Sequence, residues 1–350
     1  MNLVRSGWAN LGLAALTCFC LFYAPQNCQN AAVQALRLCG GPLLVGIFPF
    51  LIISNLITSS GVAPILALPL KPLAKAVGCR RPAGAAVLLL GFVGGFAPAA
   101  CTCTRLHRQG EISAEEASFL LAAAAGSSPS FVILAVGRGM LNSPVTGVKL
   151  YLCQIIAACV STALLSRLRR STFHEQKPIL VQQDASPGLS GAIADGALSY
   201  IKLCGFVIYF RCLSAGLSAF LPKGGETVAS ILLEVSSGCQ FAAQLPLFAP
   251  SACCTALSIQ SISVLMQLRT LCPAPISLRP LLLIRPLHLT VSLGLLRLSF
   301  LFDQSLNVYN SLAPRVIAMP RTPLPCILLL FCLCVLVSGR LCSALQQSKK

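Results

Sequence analysis

The chain has 350 residues, 56% of them hydrophobic and only 10% charged, with a mean hydropathy of +0.81. Soluble domains carry about 25% charged residues, so these charges cannot cover a water-facing exterior and the bilayer is the natural solvent. The net charge of +17 comes from Lys and Arg scattered singly and in short clusters between apolar runs; that pattern suits lipid headgroups rather than nucleic acid.

A full helical span needs about 20 apolar residues. The first apolar run, 10–24, follows a lone Arg5 and has no small-x-small cleavage site before a polar segment, so it reads as a retained span rather than a cleaved leader. The clearest spans are 8–24, 41–58, 147–168, 197–221, 281–302 and 323–341. Between them lie shorter, interrupted pieces. Residues 62–77 carry Pro64, Pro69 and Pro72, and 84–100 carry Gly91, Gly94, Gly95 and Pro98. Residues 117–125 and 131–140 are split by Gly126-Ser127-Ser128-Pro129, and a second such region runs from 227 to 268.

Short, Gly/Pro-broken apolar segments in corresponding positions of two halves point to re-entrant hairpins around a midplane site, because a broken helix leaves backbone groups that need polar company. The other reading is a set of ordinary spans kinked by Gly and Pro. The most polar stretch, 166–195, holds Arg167, Arg169, Arg170, His174, Glu175, Lys177 and Asp184, and reads as a linker between halves. Its arginines follow a span directly, which places it in the cytoplasm, together with the C-terminal Arg340, Lys349 and Lys350 and the clusters 71–81 and 105–108. Arg279, Arg285 and Arg297 leave the topology of their region open.

Ionisable groups inside a span are costly and so are functional candidates. Glu234 is the one carboxylate in a strongly apolar run; on a helix, it would form a polar stripe with Ser230, Ser237 and Gly238, suited to a polar solute, a cation or a proton. Pairing with an Arg of a neighbouring span is the structural alternative. Gln260, among Ser258, Ser261 and Ser263, would face the same cavity if the two pieces form a hairpin, and its amide offers donors and acceptors. Ser127, Ser128 and Ser130 at the first break either line a ligand site or let helices pack closely. Ser113 and Glu116 form a capping box that starts a helix.

The 19 cysteines sit mostly in apolar runs and read as small hydrophobes. Zinc-type spacings are missing and the three histidines lie far apart in sequence, so no metal or cofactor is expected. No phosphate loop, metalloprotease helix or nucleophile elbow is present, which leaves an enzyme reading without residues.

Four segments in order carry a family resemblance: Gly46-Ile47-Phe48-Pro49-Phe50-Leu51-Ile52-Ile53-Ser54; Gly94-Gly95-Phe96-Ala97-Pro98-Ala99-Ala100; Ser127-Ser128-Pro129-Ser130-Phe131-Val132-Ile133; and Glu234-Val235-Ser236-Ser237-Gly238-Cys239. Over roughly residues 40–300 the chain resembles the sporulation integral membrane proteins of the YlbJ type. These belong to the nucleoside-recognition, or Gate, domain proteins, with the spore maturation proteins A and B, and share that domain with concentrative nucleoside transporters and the ferrous iron transporter B. The chain departs from the family pattern at Gly95-Phe96-Ala97-Pro98, where a Gly-Tyr-Pro-like turn is expected, at Ala125-Gly126-Ser127-Ser128, where an Asn pair precedes the proline, and at Gln260, which stands in place of a histidine.

The resemblance implies an all-α, polytopic protein of a bacterial cell membrane, associated with endospore formation in Firmicutes, with two Gate-like halves built on broken or re-entrant helices. Its parts would be a first span with an amphipathic lead-in (1–40), a first half (41–168), a cytoplasmic linker (169–196), a second half (197–302) and a last span with a basic tail (303–350). The function expected is binding or transport of a small polar or nucleoside-like solute, with Glu234, Ser237, Gln260, Ser127 and Ser128 at the site, a cation or proton as coupling ion, and oligomerisation open. A non-transporting scaffold or assembly factor for spore formation is the alternative.

Overall fold

The computed structural model describes residues 2–60, 65, 67–168, 188–222, 224–245 and 247–307. Among these residues the regular structure is all helical, with no strand. The expected last span, 323–341, and most of the expected linker lie outside the described residues.

The chain opens with α1 (Asn2–Tyr23), which turns through 104° into α2 (Pro25–Gly40), a more polar helix with Pro25 at its first position. α3 (Pro42–Ser59) also starts on a proline and contains Pro49, followed by the single turn-and-a-half of α4 (Lys71–Ala76). α5 (Ala85–Gly94) and α6 (Phe96–Arg108) are two pieces separated at Gly95. α7 (Ala114–Ala124) begins on the expected capping box: Glu116 N donates to Ser113 Oγ at 3.1 Å, and Ser113 N donates to Glu116 Oε2 at 2.9 Å. After a break at 125–129 comes a π-helix (Ser130–Met140), then α8 (Pro144–Leu168) and α9 (Leu189–Ser218). α9 starts at Leu189, inside the stretch read as linker. The second broken set is α10 (Gly225–Leu233), α11 (Val235–Ala242), α12 (Ala249–Ile259) and α13 (Ile262–Leu271). α14 (Arg279–Asn307) carries Arg279, Arg285 and Arg297 on one continuous helix.

Four helical stretches are long and apolar enough to cross a bilayer: Pro144–Leu168, Leu189–Ser218, Ala249–Leu271 and Arg279–Leu301, with the bent α1–α2 pair a fifth. The expected span 41–58 corresponds to α3, an apolar helix of shorter reach. Helix α8 shows the polarity expected of a lipid-facing element. Leu152, Ile156, Val160 and Leu164 recur every fourth residue and are each about half exposed, while Leu150, Ala157 and Ser161 on the other side are buried. The apolar stripe faces outward and the polar atoms inward, the reverse of a soluble surface helix.

The interior is packed by the broken pieces. α5, α6 and α7 bury Val87, Leu88, Cys103 and Leu120 against Leu268 of α13 and Leu281 of α14. At the end of the bundle where α6 finishes, Arg105 pairs with Asp195 of α9 at 3.7 Å and donates to Asn55 O at 2.8 Å. The basic end of α6 and the start of α9 therefore lie side by side.

Candidate functional site

Two helix breaks in the first part of the chain (41–168) and two in the second (197–302) build the site. In the first half, Gly95 separates α5 from α6 with φ +88°, and a Cβ there would meet Ser128 N at 2.8 Å, so the position suits only glycine. Ser128 belongs to the second break, 125–129, where its Oγ accepts from Phe131 N at 3.3 Å and lies 3.1 Å from Ser130 Oγ. The freed backbone is thus met by neutral hydroxyls.

In the second half the breaks are met by charge. Glu234 is not on a helix face, as the sequence periodicity suggested; it adopts an extended conformation (φ −150°, ψ 125°) between α10 and α11. Its carboxylate caps α11, accepting from Ser236 N at 2.9 Å, from Ser237 N at 2.7 Å and from Ser236 Oγ. An anion at a helix N-terminus satisfies orphan amides and complements the dipole, which contributes up to about 2 kcal/mol. Ser230, expected on the same stripe, instead hydrogen-bonds Ser214 of α9 at 2.9 Å.

Behind Glu234 stands Arg211 of α9, which is buried. Its guanidinium donates to Ser236 Oγ at 3.0 Å, to Gln34 Oε1 of α2 at 3.0 Å and to Gln240 Oε1. Ser236 therefore relays between the two charges: it accepts from Arg211 and donates to Glu234. The arginine of a neighbouring span weighed as the structural alternative is this one, joined through a hydroxyl.

The last break falls at Gln260 (φ +55°) and Ser261, between α12 and α13. Gln260 Nε2 donates to Ala125 O, which ties this break to that of the first half. Contrary to expectation, Gln260 does not face the cavity that Glu234 lines. The C-terminal end of α12 is met by Arg285, which donates to Ser258 O at 3.1 Å. A cation placed there complements the negative end of the half-helix. Alongside, His288 Nε2 lies 3.1 Å from Gln154 O; a carbonyl only accepts, so Nε2 carries the proton and Nδ1 is left an acceptor with no partner among the described residues.

These groups border three spaces. An inner cavity of about 50 Å³, room for a few waters, is walled by Phe96, Phe131 and Tyr200 among other apolar residues, with Ser127, Ser128, Glu234, Ser236 and Gln267 among its polar lining. A small space of about 20 Å³ beside Ser127 is lined by Tyr151, Gln154, Arg285 and His288. A larger vestibule of about 330 Å³ lies on the other side of Arg211 and takes in Gln34, Glu226, Ser237 and Gln240. Of the residues singled out from the sequence, Ser127, Ser128 and Glu234 meet at the inner cavity, Ser237 lies in the vestibule, and Gln260 lies at the seam between halves. Arg211, Ser236, Gln34 and Tyr200 were missed. Arg211 carried a readable signal, an intramembrane charge in the run 197–221; the others are polar residues that only tertiary contact selects. Among the described residues, no cluster of three or more His, Cys, Asp or Glu side chains is placed to hold a metal ion.

Comparisons with protein-family models, with curated proteins and with solved structures find no match to this chain.

Proposed function

We propose that this chain is a multi-pass membrane protein of transport type that binds a small polar or nucleoside-like solute where its broken helices meet. The observation that carries the reading is the inner cavity itself, to which one half contributes Ser127 and Ser128 and the other Glu234 and Ser236. Aromatic walls with a few convergent polar atoms suit a flat, hydrogen-bonding solute. At about 50 Å³ the cavity is too small for such a solute, so binding requires one half to move against the other, as in alternating access. A place among the sporulation-associated Gate proteins is part of the same proposal and rests on the four segments quoted above.

Uptake into proteoliposomes tests it. Saturable uptake of uridine by wild type, lost in Ser128→Ala without loss of folding, is the expected result; background uptake of nucleosides, nucleobases and divalent cations alike by folded protein contradicts it.

One observation favours the scaffold reading instead: among the described residues, the hydrogen bonds that the Glu234 carboxylate accepts come from its own chain restart at Ser236 and Ser237, so its role is met without a solute. In that case Ser128→Ala leaves every function of the protein unchanged, while Glu234→Gln lowers its melting temperature.

A further inference from the structure

Helix α9 presents one unbroken stripe to both the vestibule and the inner cavity. Ser218, Ser214 and Arg211 line the first, and Val207, Cys204 and Tyr200 line the second, at alternating spacings of four and three residues. Eighteen steps of 1.5 Å from Tyr200 to Ser218 make this stripe about 27 Å long, close to the roughly 30 Å of a bilayer core. It is polar down to Arg211 and largely apolar beyond it. α2 changes character in the same sense, with Asn27, Asn30 and Gln34 on the vestibule and Cys39 on the inner cavity. The two spaces are thus stacked, and the hydrogen-bonded row Arg211, Ser236, Glu234 is the partition between them.

The chemistry of the vestibule defines what it admits. Arg211 is committed to three neutral oxygens. Because Gln34 and Gln240 turn their carbonyls to the guanidinium, their NH₂ groups remain as donors, and Asn27 and Asn30 add amides of both polarities. Glu226 supplies a carboxylate on the same walls. Glu226 repels an anionic solute and Arg211 repels a cationic one, so the walls together favour neither sign of charge. We propose that the vestibule is a second, outer binding site for an uncharged solute bearing both hydroxyl and amide groups, and that Arg211 is the gate through which it reaches the inner cavity. This rests on the reading of the inner cavity as a solute site.

The test is ligand-induced thermal stabilisation of the detergent-purified full chain with uridine and N-acetylglucosamine as neutral probes, and glucosamine and N-acetylglucosamine 1-phosphate as cationic and anionic comparators. The variants are Asn27→Ala/Asn30→Ala, whose exposed side chains hold no part of the fold, and Ser128→Ala in the inner cavity. The expected result is a rise in melting temperature with the neutral probes alone, and about tenfold more probe needed for the same rise in Asn27→Ala/Asn30→Ala. A response unchanged in that double variant but abolished by Ser128→Ala overturns the vestibule site and spares the inner one. A stronger response to the phosphate overturns the charge selection. No response of wild type to either neutral probe overturns the vestibule site, and uptake then decides on the inner cavity alone.

Discussion

The two parts of the chain both interrupt their helices but satisfy the freed backbone differently. The first uses a left-handed glycine at Gly95 and the hydroxyl of Ser128; the second uses the carboxylate of Glu234 at the start of α11 and the guanidinium of Arg285 at the end of α12. Neutral caps cost little to desolvate and bind weakly. Charged caps complement half-helix dipoles strongly but must themselves be compensated inside the bundle, and Arg211 supplies that compensation for Glu234 through Ser236. On the proposed function, the first half is the part expected to deform and the second the frame against which it would move.

The largest effects should fall on the charged break. Glu234→Ala strips the cap of α11 and leaves Arg211 buried without its counter-charge, an expected loss of about 3–5 kcal/mol in denaturant unfolding of the detergent-purified protein. Arg211→Ala added to it should cost less than the sum of the two single changes, because Ser236 couples them; strict additivity would show that the relay is not an energetic unit.

Gly95→Ala comes next. It forces a left-handed non-glycine residue against Ser128 N, for a predicted loss of about 1–3 kcal/mol, and wild-type stability would mean that the break between α5 and α6 is not where it is drawn. Ser128→Ala removes two neutral hydrogen bonds and should cost only about 1–2 kcal/mol, while its expected effect on uptake is large. At the foot of the scale stands Ile156→Ala on the outward face of α8. Half exposed, it loses only part of its contact with protein and should shift stability by about 1 kcal/mol or less; a core-sized loss would mean that another surface covers this stripe.

Much of this comparison is legible in the sequence where a residue type has one backbone consequence. Gly95 and the run Gly126 to Pro129 announce their breaks, the capping box at Ser113 and Glu116 announces α7, and hydropathy marks α8 and α14. The region 227–268 reads as interrupted, but the exact place of its break at Glu234 does not, because neither Gly nor Pro stands beside it and the periodicity of Ser230, Glu234 and Gly238 imitates a helix face. The bond from Gln260 to Ala125 spans 135 residues, so no local pattern contains it. The bend between α1 and α2 has a proline signal, yet the amides of α2 acquire their meaning only once Arg211 is placed against Gln34.

The central claim, that breaks from both halves close on one solute, is tested most directly by hydrogen–deuterium exchange with and without uridine. The account predicts slowed exchange at residues 126–131 and 234–238 together. Protection at neither segment, or at one alone, would contradict it.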